Sequence, residues 1–406
     1  MSRRSGSERA GPPASLYVHV PFCEHRCHYC DFSVTCRRRP PVESWLAAVS
    51  ADLRLWFEAR GWSRGARLET IYVGGGTPSL LGPGAFTKLA ALLRRWFRWD
   101  AAQIEWTAEA NPRSLTADVL GDWAHAGVNR ISIGVQAFDD DALRWLGRLH
   151  DAEEAASAID RAKDAGFRNL NVDLMFGLPD DVGRDWVGEI ERLRELDVPH
   201  VSLYGLTAET RTPLGRRMEL GRVRLATEDR YGGEYLEARD LLVDAGYGHY
   251  EISNLARPGA ESRHNWQYWD RSPYLGVGPS AHSFLPPLRV WNVYRWDAYR
   301  KAATSGGELR AGSELVVGEA ERLERLWLGL RTRKGVARAD PTWRPLLRNA
   351  AGVLEAWEGQ GWLEWGTRMV LTAEGWLRID ALVAELARRL PAVEAPVAAS
   401  ADVERT

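Results

Sequence analysis

The chain has 406 residues, of which 45% are hydrophobic and 27% charged, with a net charge of -2. That is enough apolar material for one large core and a second small one, and the near-neutral balance gives no reason to expect a nucleic-acid partner. No apolar run approaches the ~18 residues of a membrane span. Residues 1–14 are short, basic and rich in Ser and Gly without the apolar segment of an export signal, so a cytoplasmic protein is expected.

In chain order, the first strand is expected over Ser15–Val20, followed by a cysteine-bearing loop. Further strands are expected over Glu69–Val73, Ile104–Ala108, Arg130–Gly134, Asn169–Leu174 and His200–Tyr204. Between them lie helical patterns at Val42–Ala59, Pro83–Trp96, Thr116–His125, Asp151–Ala165 and Arg184–Glu195, several closing on a glycine (Gly61, Gly127, Gly166). Six such units predict an α/β fold with a parallel sheet curled into a partial (β/α)6 barrel over residues 15–225. A doubly wound open sheet is the alternative, because strand order is not visible in one sequence.

From Thr227 the rhythm changes. A helix over Glu228–Ala245, the segment Tyr250–Asn254 and an aromatic, polar stretch to Asn292 form an expected extension of the barrel over 226–310. Helical spacing returns at Leu323, Leu326, Trp327 and Leu330, then at Leu354 and Trp357, before a turn and Met369–Trp376. This predicts a small helical, winged-helix-like domain over 311–390, and without a dense basic recognition helix its expected role is structural packing. Residues 1–14 and the Ala/Pro/Val/Glu mixture of 391–406 are expected to be disordered.

All four cysteines fall between Cys23 and Cys36, and three follow Cys23-x3-Cys27-x2-Cys30 directly after the first strand. Three thiolates can hold three irons of a four-iron, four-sulfur cluster and leave the fourth open to chelate the amino and carboxylate groups of S-adenosylmethionine (SAM). Structural zinc would need a fourth ligand such as Cys36, His25 or His28. A thioredoxin-like Cys27–Cys30 pair would leave Cys23 unexplained. Cys36, beside Arg37, Arg38 and Arg39, reads as a bystander.

In a βα barrel the carboxyl ends of the strands face the active site. Here they carry Gly74-Gly75-Gly76-Thr77-Pro78, Glu109 with Asn111-Pro112-Arg113, Gln136, and Asn171-Val172-Asp173 before Gly177-Leu178-Pro179. Each could be a tight turn or a solvated strand end. Together they suit hydrogen bonds to ribose hydroxyls and placement of a sulfonium near the open iron. Arg148, twelve residues past Gln136, could pair with a ligand carboxylate.

From about Ser15 to Leu386 these residues resemble the HemN–HemW group of radical SAM proteins, which contains the coproporphyrinogen III dehydrogenases. The likeness rests on Tyr17-Val18-His19-Val20-Pro21-Phe22-Cys23, Gly74–Pro78, Gly134-Val135-Gln136, Asp173 and Gly177-Leu178-Pro179. It implies Cys23, Cys27 and Cys30 as ligands of a 4Fe–4S cluster. It also implies that Tyr17, Gly75, Gly76, Thr77, Glu109, Gln136, Arg148 and Asp173 line the SAM site, with Tyr29 against adenine and Gly205 touching a ligand through its backbone.

Two departures from the dehydrogenases choose the branch. Phe32 stands where they have a fourth cysteine, and their long N-terminal cover over the substrate has no counterpart. Both departures are shared with the HemW-like heme chaperones. His264-Asn265-Trp266-Gln267-Tyr268-Trp269 fits that branch's His-Asn-x-x-Tyr-Trp heme motif. The resemblance implies heme b bound through His264. Read by their own chemistry, Trp266, Tyr268 and Trp269 can face the porphyrin, Arg263 or Arg271 can meet a propionate, and His282 is the alternative ligand. By itself, a His-plus-aromatic run also fits a loop packed by its own rings. The expected partners are heme, acceptor hemoproteins such as those of a respiratory chain, and a reductant for the cluster. A homodimer is left open, and oxygen-independent dehydrogenation of coproporphyrinogen III is the alternative activity.

Overall fold

A computed structural model describes residues 11–390. The expected disordered tail, 391–406, lies outside the described residues, as does most of the expected disordered N-terminal segment. Two compact units are formed. The first runs to Tyr268 and includes Ser272–Glu314; the second comprises Trp269–Arg271 and the chain from Leu315.

In the first unit, six strands are parallel and pair in chain order: β1 (Ser15–Val20), β2 (Thr70–Gly75), β3 (Glu105–Ala110), β4 (Arg130–Gln136), β5 (Asn169–Phe176) and β6 (His200–Gly205). A doubly wound sheet reverses direction at a switch point. This order never reverses, so the sheet is the wall of a partial (β/α)6 barrel. Its edges are extended by an antiparallel pair, β7 (Gly248–Glu251) and β8 (Asn254–Ala256), next to β6, and by β9 (Leu275–Val277) parallel to β1.

The crossovers are α1 (Val42–Arg60), α2 (Ala85–Leu93), α3 (Ala117–Ala126), α4 (Asp140–Trp145), α5 (Ala152–Asp164) and α6 (Trp186–Glu195). Their boundaries follow local chemistry. Asp151 and Glu154 form a capping box on α5, Thr116 accepts from the Val119 N–H at the start of α3, and Gly61 and Gly127 end α1 and α3 in the left-handed conformation. After β6 come α7 (Pro213–Glu219), α8 (Glu228–Asp244), α9 (Arg263–Trp269) and α10 (Trp296–Ser305), with β10 (His282–Leu285), β11 (Leu288–Asn292) and β12 (Arg310–Leu315) in a separate small sheet.

Alternation along the strands sets the two faces. Ile71, Val73, Trp106, Ala108, Ile131, Ile133, Val172 and Val201 are fully buried, each Ile and Val contributing about 1.5–3 kcal/mol. The opposite positions carry Thr70, Tyr72, Thr107, Glu109, Arg130, Ser132, Asn171, Asp173 and Ser202. One face therefore supplies the apolar core beneath the helices, and the other makes a polar barrel interior.

Residues 263–269 form a helix rather than a loop. The Glu105 carboxylate accepts the N–H groups of Arg263 and His264, both at 2.9 Å, and the Ser262 hydroxyl accepts from Asn265. A tertiary carboxylate thus satisfies donors that a helix start leaves open.

The second unit contains α11 (Gly318–Leu330), α12 (Arg344–Asn349) and α13 (Ala351–Gly359), a three-stranded sheet, and α14 (Ala373–Trp376) and α15 (Ile379–Ala387). The sheet places Arg368–Leu371 between Val336–Ala337 and Leu363–Trp365. Within the expected segment Met369–Trp376 the strand stops at Leu371, and Thr372 caps a helical turn through the Gly375 N–H.

Candidate functional site

A cavity of about 470 Å³ opens at the carboxyl ends of β2–β6 in the first unit. It brings together Cys23, Cys27, Cys30, Tyr29, Gly75, Gly76, Thr77, Glu109, Gln136, Arg148, Asp173 and Gly205. Tyr17 does not line it. The Tyr17 ring stacks on Tyr72 and its hydroxyl meets His19 Nδ1 at 3.0 Å.

The cysteine loop is held from several sides. The Gly76 and Thr77 N–H groups donate to the Val20 and Phe22 carbonyls at 2.7 Å, the Cys30 N–H turns back to the Cys27 carbonyl, and the Leu214 N–H donates to the His28 carbonyl. His28 also binds the Trp145 carbonyl at the end of α4. These close approaches need glycine: a Cβ on Gly75 would overlap the His19 ring, and one on Gly76 would overlap the Phe22 carbonyl.

Thr77 Oγ1 donates to Cys23 Sγ at 3.4 Å, and Arg148 Nη1 approaches Cys27 Sγ at 3.6 Å. Burial pushes the Cys23 thiol up to about 12 and raises Cys30 as well, so an iron ion is what would deprotonate them. Three half-buried thiols beside a hydroxyl and a guanidinium suit an anionic sulfide cluster. Among the described residues no three His, Cys, Asp or Glu side chains are grouped as ligands of a single metal ion; ligands that serve different irons of one cluster need not converge on a point. Cys36 is exposed; it pairs with Cys23 in a short parallel ladder and does not line the cavity.

The polar wall is built at the strand ends. Glu109 accepts from the Tyr72 hydroxyl at 2.8 Å and the Gly75 N–H at 2.9 Å, and burial lifts its carboxyl to about 7. Asp173 accepts from Asn171 at 2.8 Å and from the Ser132 hydroxyl, and burial raises it too. Gln136 ends β4 at φ 75, a left-handed conformation that costs about 1–3 kcal/mol and that the bulge between Gly134 and Gln136 holds in place. Arg148 Nη2 donates to the Gly134 carbonyl at 2.7 Å, and its buried Nε has no hydrogen-bond partner among the described residues. Sequence reasoning did not single out Ser132, Tyr204, Thr207 or Glu209, which also line the cavity. Ser132 shares the inward alternation of β4, and that period was the available signal.

The heme-motif residues lie elsewhere. His264 is fully buried, with Nδ1 on Thr70 Oγ1 at 2.8 Å and Nε2 on the Tyr268 hydroxyl at 2.9 Å. Burial, with Arg130 nearby, lowers its imidazole to about 3, so it is neutral. Neither His264 nor Tyr268 lines the cavity. Trp269 belongs to the second unit, under the Arg331 guanidinium. Arg263 donates to the Gln103 carbonyl, and Arg271 pairs with Glu324 at 2.8 Å and Glu321 at 3.3 Å. His282 is exposed on β10, its ring stacked on Trp291.

Residues 17–193 match the radical SAM superfamily. The chain is 36% identical to the heme chaperone HemW of Lactococcus lactis over 80% of its length and 83% of that protein's. It is 35% identical to the heme chaperone HemW of Mycobacterium tuberculosis over 93% and 95%. Among solved structures, the Escherichia coli coproporphyrinogen III oxidase HemN, a radical SAM enzyme, superposes with a TM-score of 0.77 at 21% identity over 93% of this chain and 91% of that one, a likeness of fold. With the three-cysteine loop at the mouth of a partial barrel and kinship of this extent, the chain belongs to the HemW family of the radical SAM superfamily.

Proposed function

We propose that this chain is a cytoplasmic heme chaperone that binds heme b, a 4Fe–4S cluster and SAM and passes the heme to acceptor hemoproteins. The observation that supports the cofactor set is the single cavity carrying Cys23, Cys27 and Cys30 opposite Glu109, Gln136, Arg148 and Asp173. The names of the relatives support the chaperone role. In this reading the three thiolates hold the cluster, and the cluster supplies an open iron for the amino and carboxylate groups of SAM. Asp173 accepts from ribose hydroxyls, Arg148 meets the carboxylate, and Gly75 and Gly76 let the backbone approach. A cytoplasmic one-electron donor serves as reductant.

Phe32 supports the chaperone over the dehydrogenase. It occupies the position of the dehydrogenases' fourth cysteine and is 59% exposed. The test is anaerobic reconstitution, followed by heme titration, heme transfer to an apo-hemoprotein and coproporphyrinogen III turnover on one preparation. Heme binding and transfer without vinyl product is the expected result. Steady vinyl formation above a no-protein control would overturn the reading.

A further inference from the structure

Arg130 stands inside the barrel at 2% exposure and forms no hydrogen bond or ion pair among the described residues, its Nε buried without a partner there. A buried cation in that state is strongly disfavoured unless opposite charge lies within reach. The strand register puts such charge directly above it. Ser132, the next inward residue of β4, lines the cavity and donates to Asp173 at 3.3 Å. Thr107, the Cα partner of Arg130 on β3, comes two residues before Glu109, which also lines the cavity. Arg130 therefore lies one pleat repeat, about 7 Å of strand, beneath the wall that carries both carboxyl groups.

The other groups of the interior bring no compensating cation. Tyr72 from β2, Tyr204 from β6 and Tyr250 from β7 are phenols that burial keeps protonated. His200 from β6 and His264 from α9 are lowered by burial and neutral. Glu105 of β3 and Glu251 of β7 are carboxyl groups, taken up by the α9 N–H groups and by Asn254. Arg148, the guanidinium of the wall itself, is turned to the Gly134 carbonyl and Cys27. Burial raises Glu109 and Asp173, and the Arg130 charge lowers both. We propose that Arg130 is a positioning residue of the SAM site: its buried charge holds Glu109 and Asp173 as carboxylates, Asp173 to accept from ribose hydroxyls and Glu109 to favour the sulfonium. This assignment rests on the SAM-binding reading and extends it to a residue outside the cavity lining.

The test compares wild type, Arg130→Met and Arg130→Lys as full-length protein. SAM is titrated by calorimetry into the cluster-loaded form from pH 5.5 to 9, and urea unfolding is followed across the same range before iron is added. Without the buried charge both carboxyls keep their protons to higher pH. In Arg130→Met the pH at which SAM affinity levels off should therefore rise by about one unit or more, with affinity at pH 7 down about tenfold and the gap closed by about pH 9. Arg130→Lys, which keeps the charge, should stay close to wild type. The unfolding curves should cross. Arg130→Met is expected to match or exceed wild type near pH 5, where a lone buried cation has been removed, and to be the less stable above pH 8, where two buried carboxylates have lost their counter-charge. A merely structural arginine predicts equal loss at every pH, and that result in either measurement overturns the assignment. So does an Arg130→Met protein that fails to fold at pH 5, or an Arg130→Lys protein that loses SAM at every pH. Wild-type SAM affinity without pH dependence would remove the role of Arg130 and leave the SAM reading standing. If wild-type protein binds no SAM, that reading fails, and the unfolding curves still judge whether Arg130 balances the two carboxyls.

Discussion

Replacing Glu109 with Gln should separate proton uptake from the rest of the site. The Glu109 carboxyl accepts two hydrogen bonds, from Tyr72 and Gly75, that favour its charged form, yet burial outweighs them and lifts it from 4.5 to about 7. Its folded value lies above its unfolded one. Between these values the folded protein keeps a proton that the unfolded chain has lost, so Glu109 makes stability fall as pH rises from about 4.5 to about 7. The rise corresponds to about 3 kcal/mol at most. Gln does not titrate, so in iron-free protein wild type should lose about 1–3 kcal/mol relative to Glu109→Gln between pH 5 and pH 8, measured by urea unfolding. A cationic sulfonium in the cavity favours the carboxylate. SAM affinity should therefore climb by up to about tenfold per pH unit below pH 7 and level off above it, with a proton released. Calorimetry in buffers of different ionisation heat reads both effects. A Glu109→Gln protein that keeps the wild-type pH slope of SAM binding would refute the argument.

Other consequences are simpler to read. Cys23→Ala, Cys27→Ala and Cys30→Ala should each abolish the binding of about four irons and the associated visible absorption, whereas Cys36→Ala should retain both; equal loss from Cys36→Ala rules out the three-thiolate site. Asp173→Ala should weaken SAM about tenfold to a hundredfold, from the loss of charge-assisted bonds of about 1.5–3 kcal/mol, and unchanged affinity in calorimetry removes Asp173 from the site. Glu105→Ala should destabilise the fold by about 2–4 kcal/mol in urea unfolding, since two helix-start donors lose a buried carboxylate. A cost below about 0.5 kcal/mol would mean that other groups cap α9.

Most of the barrel was legible in the sequence because its signals are local. The inward and outward alternation of β2–β6, the caps at Thr116 and Asp151 and the closing glycines each depend on a few neighbouring residues, and the cysteine spacing and strand-end polar groups follow from the same pattern. Tertiary structure alone decided the rest. Strand order, which separates a partial barrel from a doubly wound sheet, is a relation between segments dozens of residues apart. Residues 263–269 carry no strong helical period; they are helical because Glu105, 158 residues before Arg263, supplies the cap. The motif histidine showed in the sequence, but its enclosure between Thr70 and Tyr268 did not, because Thr70 lies 194 residues away. Arg148 likewise reaches Cys27 across 121 residues. Local periodicity states which face a side chain takes. It does not say which distant side chain waits on that face, because chain closure determines that.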